Sequence, residues 1–243
     1  MAALMGEAWM QSANAGDRQL ETLRLYGALM EAREEWGGGL VLCCGEGCAA
    51  SGVPAAVSIA GGATLAVDAD AAEVKAAMRR GEVDFVVNTL DEALRALKNE
   101  VRLRRPLSVG LIADVDAALR EMVERGVLPD LLLIGVSQNA QAILENESIR
   151  ALRAGGMGLR PMGNADGERA ETGIARSQGE EVYLPAANAV ELRALDERLL
   201  AILPPDDLVR RRWVQRVAKY LRDARSGRWV WLTEEERRAL PGV

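Results

Sequence analysis

The chain has 243 residues, 49% of them hydrophobic, 27% charged and 4% aromatic, and a formal net charge of −6. That composition is globular, with ample material for a buried core, and it excludes extensive disorder. The acidic balance argues against a general nucleic-acid binder, and the absence of histidine removes the commonest general base and metal ligand. Enzymatic chemistry would therefore rest on carboxylates, Lys, Cys, Tyr or a cofactor. No segment is long and apolar enough to span a membrane, and the N-terminus lacks a basic-then-apolar signal pattern. The default expectation is a cytoplasmic protein.

In chain order, residues 1–15 read as a leader rich in Met, Ala and Gly. Leu20, Leu23, Leu25, Leu29 and Met30 recur at helical spacing and predict a helix from Asp17 to Trp36, stopped by Gly37-Gly38-Gly39. Strand-like runs follow at Leu40–Cys44, Ala63–Val67, Asp84–Val87, Leu107–Ile112, Asp130–Ile134 and Met157–Met162. Helical segments alternate with them at Ser51–Ala60, Ala71–Arg80, Leu90–Val101, Asp116–Arg125 and Ser137–Ala154. This alternation predicts βαβ units and a parallel sheet covered on both faces. Right-handed crossovers then give a three-layer, doubly wound α/β fold of Rossmann-like type with helical N- and C-terminal extensions. Gly163–Gly179 reads as a loop. Helices are expected at Ala189–Leu203 and, starting with Pro205, up to Ala224, with a short extended segment at Arg228–Leu232. Thr233-x-x-Glu236 is a capping box for a final helix. The expected organisation is a leader and helix (1–36), an α/β domain (37–163), and a loop with a helical extension packing on that core (164–243).

The most informative stretch is the turn after the first strand, Gly45-Glu46-Gly47-Cys48-Ala49-Ala50-Ser51-Gly52. A glycine-rich turn between strand and helix builds a dinucleotide phosphate site, because glycines let backbone N–H groups approach a pyrophosphate. Here Glu46 places negative charge at the phosphate position, and the spacing is G-x-G-x4-G instead of G-x-G-x-x-G. An acidic residue about 20 positions further on should bind ribose. Asp68 fits, with Asp70 a weaker candidate. Asp114, Asp116 and Ser137 follow later strands and would line the same crevice, although Asp114 and Ser137 also serve as N-caps. The candidate ligand crevice therefore comprises Gly45, Gly47, Cys48, Asp68, Asp114 and Ser137.

Cys43, Cys44 and Cys48 all flank this turn. Neighbours on a strand point to opposite faces, so Cys43 and Cys44 do not share a metal, and no metal site is expected. Small core residues in a reducing compartment is the plainer account; the alternative is a reactive Cys48 at a helix N-terminus. The basic run Arg210-Arg211-Arg212 reads as a solvated helix face, and Trp213, Trp229 and Trp231 as packing anchors or a dimer surface.

Several blocks resemble the urocanase (urocanate hydratase) family: Ala32-Arg33-Glu-Glu-Trp36-Gly-Gly, Gly45-x-Gly47 with Pro54, Leu90-Asp-Glu-Ala-Leu94, Arg105-Pro-Leu-Ser-Val-Gly-Leu111 and Glu121–Asp130. Ile202-Leu-Pro-Pro-Asp-Asp207 with Arg212-Trp213 is similar to a later family segment. The resemblance implies tightly bound NAD acting as an electrophile in urocanate hydration, and a homodimer. Residue by residue, it also implies losses. The family's Gly-Leu-Gly-Gly-Met-Gly-Gly turn corresponds to Gly45–Ser51, its ribose-binding Glu to Asp68, and a basic NAD contact to Glu73. Its Asn-Ala pair corresponds to Asp114-Val115, and its Gln-Thr-Ser-Ala-His run to Gly135–Asn139, of which Ser137 alone is kept. A Tyr-Gly-Asn-Asn pattern falls on Met162–Ala165, and the family's catalytic cysteine falls on Ala175.

Unit charges about 4 Å apart interact by roughly 4 kcal/mol at an effective dielectric near 20. Added carboxylates at Glu46 and Glu73 therefore oppose a pyrophosphate. The resulting expectation is a shortened, diverged relative with no catalytic residue to assign and no cofactor or only weakly bound NAD. A neutral or cationic small molecule would suit the crevice. The alternatives are an active NAD-dependent hydratase and a dimeric interaction module; nucleic acid and membrane are not expected partners.

Overall fold

The computed structural model describes residues 18–134, 145–161, 179–221 and 225–240. The chain divides into two compact units, Arg33–Ala170 and Met1–Ala32 together with Glu171–Val243.

The first unit is a six-stranded, all-parallel sheet built from β1 (Leu40–Cys44), β2 (Ala63–Asp68), β3 (Phe85–Val87), β4 (Leu107–Ile112), β5 (Leu131–Ile134) and β6 (Gly158–Pro161). The spatial order is β3-β4-β2-β1-β5-β6. Helices α2 (Val53–Ala60), α3 (Ala71–Arg80), α4 (Leu90–Arg102), α5 (Val115–Glu124) and α6 (Glu147–Ala154) fall between the strands. One face of the sheet offers Leu42, Cys44, Leu65, Val67, Val109 and Leu111 to Leu97 of α4, Leu119 and Met122 of α5, and Ile149 of α6. The alternate residues face α2 and α3. At Gly110 the approach is so close that a Cβ would stand 2.6 Å from Val74 Cγ1 of α3. Apolar runs such as Leu40–Cys44 follow from this burial on both faces.

Local chemistry sets the helix ends. Asp70, Thr89, Asp114 and Asn146 cap α3, α4, α5 and α6 with side-chain oxygens, and Gly61 and Gly81 close α2 and α3 at φ of 102° and 81°. The helix expected from near Ser51 begins at Val53, because Ser51 closes a 3₁₀ turn at Cys48–Ala50 and Gly52 is left-handed at φ 78°. Chain order reverses between β1 and β5: β2, β3 and β4 lie on one side of β1, β5 and β6 on the other. That reversal opens a crevice beyond the carboxyl ends of the strands, with the Gly45 turn on its rim.

The second unit joins helix α1 (18–32) to residues far along the chain: β7 (Glu180–Pro185), α7 (Ala189–Ile202), α8 (Leu208–Tyr220), β8 (Gly227–Leu232) and α9 (Glu234–Ala239). β7 and β8 form an antiparallel pair. Tyr26 donates its hydroxyl to the Val209 carbonyl at 2.8 Å and lies 5.6 Å from the Trp213 ring. Four expectations change here. β7 stands in a stretch read as non-strand. α8 begins at Leu208, capped by Asp207, and not at Pro205. Arg210 is buried, bonded to Asp207 and Glu236, so the basic run is not a solvated face. Trp213 and Trp231 are fully buried, which leaves them as core anchors and removes them from any dimer surface. The capping box on α9 forms as expected.

Candidate functional site: the glycine turn

The turn between β1 and α2 runs through three left-handed glycines, Gly45 (φ 111°), Gly47 (φ 75°) and Gly52 (φ 78°), a conformation other residues adopt only with strain. Its backbone donors are mostly committed within the chain. Gly45 N donates to Val67 O (3.1 Å), Cys48 N to Gly45 O (3.1 Å), Ala50 N to Gly47 O (3.1 Å) and Ser51 N to Cys48 O (3.3 Å). Gly47 N donates to Asp68 Oδ2 at 2.8 Å.

Asp68 closes this arrangement. Its second oxygen, Oδ1, accepts from Asp70 N at 2.9 Å, and the residue is only 1% exposed. Burial raises its carboxyl above the ordinary value, against two backbone hydrogen bonds that lower it, and Asp70 and Glu46 raise it further. A nucleotide ribose would need this carboxylate at the surface, and a pyrophosphate would need the Gly47 N–H. The carboxylate and that N–H are bonded to each other. Both groups are therefore engaged within the chain.

The cysteines divide as their strand positions require. Cys44 belongs to the core against α4, α5 and α6, whereas Cys43 lies on the other side with its Sγ 3.6 Å from Cys48 O. Cys48 points its Sγ at the carbonyls of Cys43 (3.4 Å) and Val67 (3.3 Å). All three are free and buried. Desolvation pushes the Cys48 and Cys44 thiols well up, so neither is a thiolate near neutrality. The reactive-Cys48 alternative loses its physical basis: a 3₁₀ turn of three residues supplies no helix field, and burial penalises the charge.

The other candidates scatter. Asp114 is exposed and caps α5 through Ala117 N at 2.8 Å; Asp116 accepts from Asn146 Nδ2 at 2.7 Å. Ser137 lies outside the described residues, as do Met162–Ala165 and Ala175. Glu46 and Glu73 are both exposed. Among the described residues no group of His, Cys, Asp or Glu is arranged to hold a metal ion. No described helix is long and apolar enough to cross a membrane. What sequence reasoning missed is the bond between Asp68 and Gly47. The turn glycine and the strand-end acid are both legible, but their pairing depends on backbone conformation.

Some residues that carry the family likeness meet at the opposite end of the sheet. Asp130 accepts from Leu40 N (2.8 Å) and from Arg33 Nη1 (3.1 Å), and Arg33 lies 5.5 Å from the Trp36 ring. These contacts fix the start of β1 and have no part in a ligand crevice.

A family model of the urocanase Rossmann-like domain matches residues 20–139. The match runs from α1 through β5, and so includes the glycine turn, Asp68 and Asp114. The chain is a urocanase relative: its residues 20–139 belong to the urocanase Rossmann-like domain family.

Proposed function

We propose that this protein is a urocanase-like Rossmann protein that does not keep NAD as a bound cofactor and does not hydrate urocanate. The observation that carries this reading is the 2.8 Å bond from Gly47 N to Asp68 Oδ2, with Asp68 buried beneath the turn. It engages both the phosphate donor and the ribose acceptor of a Rossmann site in one internal contact. The resemblance adds a second support, since alanine stands at position 175 where urocanases carry the catalytic cysteine, and all three cysteines of the chain lie at 43, 44 and 48. The exposed acids that follow the strands, Glu46, Asp70, Asp114 and Asp116, suit a neutral or cationic small molecule better than a phosphate. A cytoplasmic protein, alone or as a homodimer, fits the same reading.

Native mass spectrometry of the purified protein, paired with an assay of urocanate consumption, tests it. The expected result is the bare protein mass and no turnover. NAD retained at near-stoichiometric occupancy, or urocanate consumed with added NAD, would overturn the reading.

A further inference from the structure

We propose that Asp68 is the chain's own occupant of the anion seat in the glycine turn, an internal contact that holds the Gly47 N–H and shuts out an external phosphate. This deepens the proposed function and rests on it.

Three contacts stitch the turn to the end of β2. Gly45 N reaches Val67 O at 3.1 Å, Cys48 Sγ reaches the same carbonyl at 3.3 Å, and Gly47 N reaches Asp68 Oδ2 at 2.8 Å. Only the last involves an anion. Gly47 sits at φ 75°, and nothing lies within 4 Å of a Cβ built on it, so there is open space beside the turn while its N–H faces inward. The seat is therefore filled electrostatically and not by bulk. Asp68 Oδ2 accepts from Gly47 of the glycine turn and its Oδ1 from Asp70 after β2, so a carboxylate stands on the Gly47 N–H where an external anion would bind. It does so in acidic company, with Asp70 and Glu46 close enough to oppose its charge. Like-charge neighbours would drive this carboxylate outward unless the amides held it.

The test uses ADP as probe, adenosine as its phosphate-free control, and the variants Asp68→Asn and Asp68→Ser. Asparagine keeps the shape but cannot accept from both amides, and serine is too short to reach them. Hydrogen exchange at the Gly47 amide and titration calorimetry are read on the same samples. In the wild type the Gly47 amide should be protected. In Asp68→Ser it should exchange at least tenfold faster; in both variants ADP should bind at least tenfold tighter than to the wild type, and adenosine should gain no affinity. Faster exchange with unchanged ADP affinity overturns the proposal, as does unchanged exchange in folded Asp68→Ser. Should both variants fail to fold, the wild type alone decides: an unprotected Gly47 amide overturns the proposal, and a protected one supports it. Stoichiometric NAD on the wild type defeats the proposed function along with this inference. A bare wild type whose folded variants gain no ADP affinity defeats the inference alone.

Discussion

Arg210 and Glu236, 26 positions apart, share two hydrogen bonds of 2.6 and 2.9 Å, while the Arg210 Nε lies 2.5 Å from Asp207. The guanidinium thus ties the start of α8 to the capping box of α9, since Glu236 also accepts from Thr233 N at 2.8 Å. The Arg210 side chain is 6% exposed and its two acids 14% and 12%. Removing the guanidinium leaves two largely buried carboxylates without their cation, which costs about 3–5 kcal/mol. Arg210→Ala should lower the unfolding free energy by that order in urea titrations, and Arg210→Met by less. A loss below 1 kcal/mol would place this cluster among ordinary surface pairs.

The same carboxylate predicts a pH dependence. Burial alone would raise the Glu236 carboxyl, but hydrogen bonds from Arg210 and the Thr233 amide outweigh it and hold it below its ordinary value of 4.5. A group whose folded pKa is lowered binds fewer protons folded than unfolded. Its contribution is present above pH 4.5 and is lost as the pH falls through the folded value. Urea titrations at descending pH should show this loss, and Glu236→Gln should remove that part of the slope. An identical slope in the variant would assign the acid sensitivity elsewhere.

The thiols predict a chemical silence. Desolvation comes first among the causes that raise Cys44 and Cys48, followed by the neighbouring Cys43 and the acids Asp116 and Asp68. The folded protein at neutral pH should take up no iodoacetamide, and the protein in denaturant should take up three equivalents, one for each cysteine of the sequence. Rapid modification of Cys48 in the native state would revive it as a nucleophile.

Most of the first unit is legible in the sequence, and the reason is burial. Strands covered on both faces read as continuous apolar runs, and capped helices between them announce βαβ units, so β1, β2, β4 and their helices stand close to where the pattern puts them. Strand order is not written locally: that β4 inserts between β2 and β3 depends on packing across the sheet. The second unit is harder to read. β7 opens with Glu180-Glu181, and only Leu184 along it is fully buried, so no clean alternation marks it. Arg210 looks like a surface charge because Glu236, which neutralises it, lies beyond a second strand. In the candidate site Asp68 is identifiable from its spacing to the glycines. Its partner is not, because the inward turn of the Gly47 N–H follows from a φ of 75° that no residue pattern specifies.

Gly110 and Val74 give a packing test. A Cβ at position 110 would come 2.6 Å from Val74 Cγ1 and 3.3 Å from Val83 Cγ1, and both valines are buried. Neither methyl belongs to a long flexible side chain, so α3 would have to move off β4. Gly110→Ala should cost about 1–3 kcal/mol, the usual range for overpacking a filled core. Val74→Ala in the same chain should recover a part of that loss, and strictly additive costs would mean the two sites do not touch.

Charge at the turn predicts a weak effect where unscreened Coulomb arithmetic would give a strong one. Glu46 and Glu73 are both exposed, whereas Asp68 is 1% exposed. Exposed charges act through water and salt, with a screening length of about 8 Å at physiological ionic strength. Their effect on a bound anion is then on the order of 1 kcal/mol or less, under about tenfold in affinity. Glu46→Gln with Glu73→Gln should therefore change ADP affinity by less than tenfold at physiological salt, with the change growing as salt is lowered. The buried Asp68 should dominate over both. A double glutamine variant that gained more affinity than Asp68→Asn would show that the rim charges, and not the internal contact with Gly47, keep phosphate away.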